Sequence, residues 1–157
     1  MTEQRRSRNR AGLGLPELGL VLVGIAVLSM VAMTQVNKRN LQQKRDITIQ
    51  RLTTLQDALS RYAVDNGGMF PTAGQGGLKA LLKAPTTAPV PPNWRGPYLN
   101  SADTLVDGWG VEFHYSRTGG GTPPRPYDVW SFGRDGRQEG EGPDRDINSY
   151  DRKTQLP

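Results

Sequence analysis

The feature that most constrains this chain is a long apolar run near its N-terminus, from Leu13 to Met33. Glu17 is the only ionisable side chain in these 21 residues. As a helix rising about 1.5 Å per residue, the run would extend about 31 Å, close to the thickness of the hydrocarbon core of a bilayer. The chain as a whole is polar, with a mean hydropathy of −0.60, so its apolar residues are concentrated here. The run therefore predicts one membrane-spanning helix.

Basic residues flank the apolar run on both sides. Residues 1–12 hold four arginines against the single acid Glu3, and a second basic stretch extends from Lys38 to Arg51. Because both flanks are basic, the distribution of positive charge does not fix the orientation in the membrane. No aromatic residue is interleaved with the second stretch, as single-stranded nucleic acids would require for stacking. The net charge of +5 therefore does not indicate a nucleic-acid partner.

Glu17 separates two interpretations of the N-terminus. A basic segment followed by an apolar run is typical of a secretory signal peptide, which would make the chain an exported soluble binding protein. No convincing A-x-A cleavage site follows the run, however. A carboxylate within hydrocarbon costs about 2.5 kcal/mol or more, and it usually marks a functional residue with a partner.

The residues around Glu17 resemble the cleavage signal of type IV pilins and pseudopilins. Residues 10–18 read RAGLGLPEL, and in that family a basic leader ends in Gly while a Glu stands fifth in the mature chain. The resemblance implies cleavage after Gly12, N-methylation of Leu13 and a mature chain of 145 of the 157 residues. It also implies that Glu17 neutralises the α-amine of a neighbouring subunit within a filament.

Three positions depart from the family pattern of this signal. The family usually has Phe where Leu13 stands and Thr or Ser where Gly14 stands. Ala11 also separates the last basic residue from Gly12.

Helical periodicity continues beyond the apolar run. Apolar residues recur there at spacings that include three and four, at Leu41, Ile49, Leu52, Leu55, Leu59 and Tyr62. The sequence Asn66-Gly67-Gly68 then supplies a helix stop. We expect one helix from about Leu15 to Asp65, apolar all round in its first half and amphipathic in its second. A transmembrane helix followed by a separate linker helix is the alternative.

The last half of the chain is rich in glycine and proline. Loop 67–106 contains a short helix at residues 78–82 and aromatic residues that favour an ordered loop over a linker. Two strand candidates follow, Val111 to Ser116 and Tyr127 to Phe132, and they predict an antiparallel hairpin. The predicted fold class is therefore α+β, a long N-terminal helix packed by a small antiparallel sheet with long loops, as in pilins.

Motifs after the helix resemble a narrower family, the major pseudopilin of type II secretion systems. They lie in the same order as in that family, at residues 62–66 (YAVDN), 70–72 (FPT), 75–81 (QGGLKAL), 96–99 (GPYL), 107–110 (DGWG) and 131–136 (SFGRDG). Gly108 stands where that family has Pro. The resemblance implies a subunit that polymerises into the periplasmic pseudopilus and drives export of folded proteins. A type IV pilin or a minor pseudopilin remains the alternative.

The resemblance also implies a domain organisation, partners and a location. Residues 1–12 would be a cleaved leader, 13–36 the transmembrane and assembly helix, and 37–157 the periplasmic domain. Within that domain the helix would continue to about 66, the hairpin and calcium loop would occupy 107–151, and 152–157 would be a tail. The partners would be further copies of the chain, minor pseudopilins, the inner-membrane assembly platform and the prepilin peptidase. The chain would cross the inner membrane once, with its C-terminal domain in the periplasm.

The sequence offers no motif typical of an enzyme. His114 is the only histidine, and it stands in a predicted strand without a nearby Ser or Cys nucleophile motif. No nucleotide-binding or zinc-protease signature is present. Trp94, Trp109 and Trp130 would suit a carbohydrate platform, but in a small domain they are more often core or loop anchors.

A glycine-rich acidic segment follows the second predicted strand. Between Asp135 and Asp151, six carboxylates stand against two arginines, a net charge of −4. Hard oxygen ligands at flexible spacing suit Ca²⁺, and the absence of cysteine argues against zinc. A solvated acidic loop is the alternative.

The major pseudopilin family binds calcium in the matching loop with Asp side chains and backbone carbonyls. The resemblance implies that the ligands here are the carboxylates of Asp135, Asp144 and Asp146 with the carbonyls of Phe132 and Arg137. With no disulfide available, the ion would hold the last loop against the hairpin.

Overall fold

A computed structural model describes residues 14–151 of the chain. Its regular elements are the helix α1 (Leu15–Asp65) and the strands β1 (His114–Ser116), β2 (Asp128–Ser131) and β3 (Ile147–Asn148). Short 3-10 helices lie in the connections, at Ala73–Gln75, Gly77–Leu81, Ala102–Leu105 and Gly142–Asp144. The chain divides into two compact units between Arg39 and Asn40.

The N-terminal unit, in its described part, is almost entirely helix. Its apolar side chains are exposed, and none of the most apolar window is buried within the protein. Ser29 Oγ donates to the carbonyl of Ile25 at 2.8 Å, and Thr34 Oγ1 donates to the carbonyl of Val31 at 2.7 Å. Both hydroxyls are thus satisfied within the helix, as an apolar solvent requires. This is the one helix of residues 14–151 that is long and apolar enough to cross a membrane.

In the C-terminal unit, one stripe of α1 forms the centre of the core. Leu52, Leu55 and Leu59 are fully buried and Tyr62 is 1% exposed, at the spacing that places all four on one face of a helix. They pack against Leu81, Leu99, Phe113, Val129 and Ile147, together with other buried residues from the loops and the sheet. The predicted amphipathic second half of the helix is therefore confirmed.

The helix ends where the sequence predicts. The backbone N–H of Gly68 donates to the carbonyl of Ala63 at 2.7 Å, and Gly67 has a φ of +67°. A glycine in the left-handed conformation directly after a helix satisfies carbonyls that the last turn leaves free. One continuous helix from Leu15 to Asp65 matches the predicted bounds, and the two-helix alternative is wrong.

Polar side chains of α1 fasten the loops to the helix. Arg51 Nη1 donates to the carbonyls of Val106 and Asp107, each at 3.1 Å. Further along, Arg61 Nη2 donates to the carbonyl of Tyr98 at 2.6 Å. Long side chains beside the apolar stripe thus satisfy carbonyls of segments outside the three-stranded sheet.

Loop 67–106 is packed against the core. Leu78, Ala80, Leu81 and Leu99 are buried, and the backbone N–H of Tyr98 donates to the carbonyl of Leu81 at 2.7 Å. The predicted short helix is a 3-10 helix, Gly77–Leu81.

The three strands form an antiparallel sheet in the order β1-β2-β3. Tyr115 pairs with Val129 across the first ladder, and Ser131 pairs with Ile147 across the second. Val129, Ser131 and Ile147 are buried, so one face of the sheet covers the core. The predicted α+β fold class is confirmed.

Two details of the sheet differ from the sequence prediction. The predicted first strand began at Val111, but β1 begins at His114, because the preceding backbone bonds to the segment 105–107 instead. The backbone N–H of Phe113 donates to the carbonyl of Leu105 at 2.9 Å. The strand β3 was not predicted, since two residues following an acidic loop give no alternating pattern.

Candidate functional site

The residues predicted to direct processing and assembly lie at the N-terminus. Gly12 and Leu13 lie outside the described residues. Glu17 falls in the first turns of α1, but its side chain lies outside what the structure describes.

The predicted calcium loop connects β2 to β3 and reverses direction repeatedly. Gly133, Gly136 and Gly142 adopt φ values of +71°, +63° and +58°, a region in which a side chain is strained. Glu139 adopts a φ of +67°, and it is the one non-glycine residue with positive φ in the range 14–151. Such a conformation costs about 1–3 kcal/mol and persists only when the surroundings hold it.

The start of the loop is held by a buried carboxylate. Asp107 is 2% exposed, and its Oδ2 accepts a hydrogen bond from Ser131 Oγ at 2.6 Å. The same hydroxyl oxygen accepts a hydrogen bond from the backbone N–H of Gly133 at 3.0 Å. The first turn of the loop is therefore fixed to the core of the C-terminal unit.

Two of the three predicted carboxylate ligands accept hydrogen bonds from the loop backbone. Asp135 Oδ1 accepts from the N–H of Arg137 at 3.2 Å, and Asp146 Oδ2 accepts from the N–H of Glu139 at 3.2 Å. Asp146 Oδ1 is buried and has no hydrogen-bond partner among the described residues. A buried carboxylate oxygen without a donor is costly, and such an oxygen is free to serve as a ligand of a hard cation.

The third predicted ligand, Asp144, is held by an arginine. Arg134 Nε lies 2.6 Å from Asp144 Oδ1, and Arg134 Nη2 lies 2.9 Å from Oδ2, a two-pronged pair. The hydrogen bond and the charge of Asp144 raise the pKa of Arg134. Close by, the backbone approaches so tightly that a Cβ on Gly140 would lie 2.0 Å from the carbonyl oxygen of Asp144.

The three carboxylates are therefore not gathered around one point. No group of three His, Asp or Glu side chains within residues 14–151 is arranged to hold a metal ion. The donor set still fits a hard cation, because it offers only oxygen atoms, carries an excess of negative charge and includes the unpartnered Oδ1 of Asp146. To join such a site, Asp144 would have to leave Arg134.

The outer face of the sheet carries an aromatic cluster. The rings of His114 and Trp130 stack with centroids 5.4 Å apart, and the Phe132 ring lies 4.5 Å from His114. Trp130 thus lies on the face opposite the core, whereas Trp94 and Trp109 pack against the core as anchors. The single histidine has the packing and surface role that the sequence analysis favoured.

Beside this face, an ion pair closes the connection between β1 and β2. Arg125 Nε lies 2.6 Å from Asp128 Oδ1, and the guanidinium lies 3.9 Å from the centre of the Tyr150 ring. Burial alone raises the pKa of Asp128. The hydrogen bonds from Arg125 and from the backbone N–H of Gly120, with the charge of Arg125, outweigh burial and hold the pKa below its ordinary value.

Sequence reasoning missed the residues that organise the loop. Asp107, Ser131 and Arg134 belong to sequence motifs that do not reveal what each side chain contacts. An arginine next to an acidic segment was the available signal for the Arg134 pair. The Asp107 to Ser131 contact joins positions 24 residues apart, which spacing does not reveal.

Comparison with known proteins finds one family model and several relatives that match most of this chain. Residues 35–150 match the family model described as "Type II secretion system (T2SS), protein G". The type II secretion system core protein G of Pseudomonas aeruginosa is 34% identical over 145 residues, covering 92% of this chain and 97% of that protein. The protein of the same name from Vibrio cholerae is 33% identical over 150 residues, covering 93% of this chain and 95% of that protein.

A solved structure agrees with these relatives. The crystal structure of the major pseudopilin from the type 2 secretion system of enterohaemorrhagic Escherichia coli is similar with a TM-score of 0.54. It is 31% identical in sequence and covers 73% of this chain and 91% of that chain. The similarity therefore extends over most of both chains in sequence and in fold.

Proposed function

This chain belongs to the type II secretion system protein G family of major pseudopilins, and from that premise we propose that it polymerises into the periplasmic pseudopilus that drives export of folded proteins. The observation that carries the proposal is the family match over residues 35–150. The described N-terminal unit agrees with it, because its apolar helix is exposed all round and needs lipid or neighbouring helices to cover it.

The proposed role is mechanical and not enzymatic. The chain would be stored in the inner membrane as a single-pass protein with its C-terminal domain in the periplasm. Its partners would be further copies of itself, minor pseudopilins and the inner-membrane assembly platform. No nucleic-acid partner is proposed, because the basic stretch from Lys38 to Arg51 has no interleaved aromatic residues.

Processing would convert the stored chain into an assembly-competent subunit. The prepilin peptidase would cut after Gly12, and Leu13 would become the N-methylated first residue. The new α-amine would then meet the Glu17 carboxylate of a neighbouring subunit. Burying either charge alone in an apolar filament core would cost far more than burying the pair, so the pair would set the register between subunits.

Secretion by the host tests this function. Deleting the gene for this chain should leave the exported proteins inside the cell, and supplying the full chain should restore them to the medium. A chain without residues 13–36 is the matched control, since it keeps the C-terminal unit but has no transmembrane helix, and it should not restore export. Export that continues unchanged after deletion would contradict the proposal.

The acidic loop would bind Ca²⁺ in the folded subunit. Its ligands would be the carboxylates of Asp135, Asp144 and Asp146 with the carbonyls of Phe132 and Arg137. The unpartnered, buried Oδ1 of Asp146 supports this proposal, as does the net charge of −4 between Asp135 and Asp151. A bound calcium ion would supply the positive charge that the loop lacks, and would cross-link the loop to the end of β2.

Thermal unfolding with and without calcium tests the site. The full chain in detergent should melt at a higher temperature with calcium than with chelator, because a ligand that binds only the folded state stabilises it. Asp135→Ala should melt near the chelated level in both buffers. Asp103→Ala is the control, since Asp103 is exposed and outside the loop, and it should keep the calcium response. Equal melting of the unmodified chain in both buffers would remove the calcium proposal.

A further inference from the structure

The Arg134 to Asp144 pair closes the same loop that calcium would close. Its two hydrogen bonds, 2.6 and 2.9 Å long, join residues ten positions apart in the sequence. Both Asp144 carboxylate oxygens are occupied by the guanidinium. A guanidinium held in this way occupies the position between the two carboxylate oxygens, where a metal ion would bind both at once, and its positive charge repels a cation there.

Both side chains of the pair are partly exposed to solvent. The Arg134 side chain is 47% exposed, so it can turn into solvent, and the Asp144 side chain is 26% exposed. The backbone at Asp144 is fixed, since its carbonyl oxygen lies against Gly140 and within 3.2 Å of a Cβ built on Gly133. Release of Asp144 therefore needs only rotation of the Arg134 side chain into solvent.

We propose that Arg134 is an internal competitor for the Asp144 carboxylate, and that it sets the calcium affinity of the loop by holding this ligand in the ion-free state. The inference rests on the calcium site proposed above. Calcium and the guanidinium exclude each other at the two oxygens, so each weakens the binding of the other by the same factor. In the ion-free state the pair keeps the loop closed, and it gives way when calcium arrives.

The expected change in calcium affinity is small, because the Arg134 to Asp144 ion pair is partly exposed. Exposed ion pairs contribute little, so releasing Asp144 should tighten calcium binding by only about two- to five-fold. Removing any positive charge makes the loop more negative and so raises its affinity for calcium. A charge-matched control is therefore necessary. Arg137 is that control, because its side chain lies in the same loop and forms no ion pair within residues 14–151. Arg137→Gln keeps the backbone carbonyl, which is the part of this residue proposed to bind calcium.

Calorimetric titration of CaCl₂ into the full chain in detergent measures the affinity of each variant. Arg134→Gln should bind calcium about two- to five-fold more tightly than Arg137→Gln. Arg134→Lys, which keeps the charge and loses the two-pronged geometry, should lie between Arg134→Gln and the unmodified chain. In chelator, Arg134→Gln should melt below the unmodified chain, and saturating calcium should remove most of that difference.

The outcomes separate this inference from the calcium proposal. If the unmodified chain binds calcium and the two glutamine variants bind it equally, Arg134 is not a competitor while the calcium site stands. If neither the unmodified chain nor any variant binds calcium, both the calcium site and the competition by Arg134 are contradicted. Binding by Arg134→Gln alone would contradict both the calcium site proposed for the unmodified chain and the predicted effect of about two- to five-fold.

Discussion

Ser131 Oγ donates a 2.6 Å hydrogen bond to Oδ2 of the buried Asp107. Asp107 Oδ1 in turn accepts hydrogen bonds from the backbone N–H groups of Trp109 and Val111, each at 2.9 Å. One carboxylate therefore joins the tight turn after residue 107 to the end of β2, where the acidic loop begins. Two motifs that are separate in the sequence form one structural unit.

Replacing Asp107 by alanine should destabilise the protein strongly. The change leaves the Ser131 hydroxyl and two backbone N–H groups without their acceptor, and each unsatisfied buried group costs about 1–3 kcal/mol. We expect a loss of at least about 2 kcal/mol in the free energy of unfolding. Denaturant unfolding of the full chain in detergent measures it, with the exposed Asp103→Ala as control. Similar losses for both variants would contradict the role assigned to Asp107.

Adding a single methyl group at Gly108 should also destabilise the fold. A Cβ at this position would lie 2.0 Å from the backbone oxygen of Lys44, an atom of α1 that cannot turn aside. Overpacking of this kind costs about 1–3 kcal/mol. Gly74→Ala is the matched control, because its nearest neighbour would be Thr72 Oγ1 at an ordinary 3.8 Å. Thermal unfolding should separate the two variants, and indistinguishable melting temperatures would contradict the close contact.

The surroundings of Gly108 explain why glycine stands here in place of the proline of the family motif. The backbone N–H of Gly108 donates to Thr48 Oγ1 at 2.8 Å, and proline has no N–H to donate. Glycine therefore permits both the close approach to α1 and the hydrogen bond to Thr48.

The parts of the fold that were predictable are those with local, periodic signals. The bounds of α1 follow from the apolar run, the stripe that includes Leu52 and Leu59, and the glycines after Asn66. The hairpin of β1 and β2 follows from two apolar segments around a glycine-rich turn. In each case neighbours in sequence carry the information, since helix and strand periods place side chains on one face.

The parts that were not predictable depend on contacts between distant segments. The sequence gives no sign that the backbone at 111–113 bonds to 105–107 instead of extending β1. In the acidic loop, composition indicates an excess of negative charge but not how each carboxylate is used. The pairing of Arg134 with Asp144 depends on the turns at Gly133 and Gly140, which are known only from the folded loop.

Acid should remove the stabilisation that the Asp128 to Arg125 pair provides. The pKa of Asp128 is lowered from 3.8 in the folded protein, so the folded state favours the charged carboxylate. This contribution is fully present above about pH 4 and is lost as the pH falls through the lower folded-state pKa. Asp128→Asn should therefore be less stable than the unmodified chain near neutral pH, and the difference should shrink as the pH falls below about 4.

Melting curves across this pH range check the Asp128 prediction. Asp103→Asn should follow the unmodified chain at every pH, because its exposed side chain forms no ion pair among the described residues. A difference between Asp128→Asn and the unmodified chain that stays constant down to the lowest pH would contradict the assignment.

Blocking the proposed cleavage site should trap the precursor. Gly12 has no Cβ, which lets a protease approach the backbone closely, so Gly12→Leu should leave uncleaved chain in the membrane. Intact-mass measurement should find a methylated 145-residue form of the unmodified chain and the full 157 residues for the variant. Gly24→Leu, a matched change within the apolar run, should be cleaved normally.

Two results would contradict the cleavage prediction. One is a Gly12→Leu chain that still begins at Leu13. The other is an unmodified chain that is cut beyond Met33 and released in soluble form, which would favour the exported binding protein considered from the sequence.

The central claim is assembly through Glu17, and one comparison tests it most directly. Glu17→Ala and the unmodified chain are expressed with the rest of the secretion system, and membrane fractionation and filament formation are read separately. We expect Glu17→Ala to enter the membrane at least as well as the unmodified chain, since the change removes a cost of about 2.5 kcal/mol or more in hydrocarbon. We also expect this variant to form no filaments, because the α-amine of the neighbouring subunit has lost its partner. Normal filaments from Glu17→Ala would contradict the account.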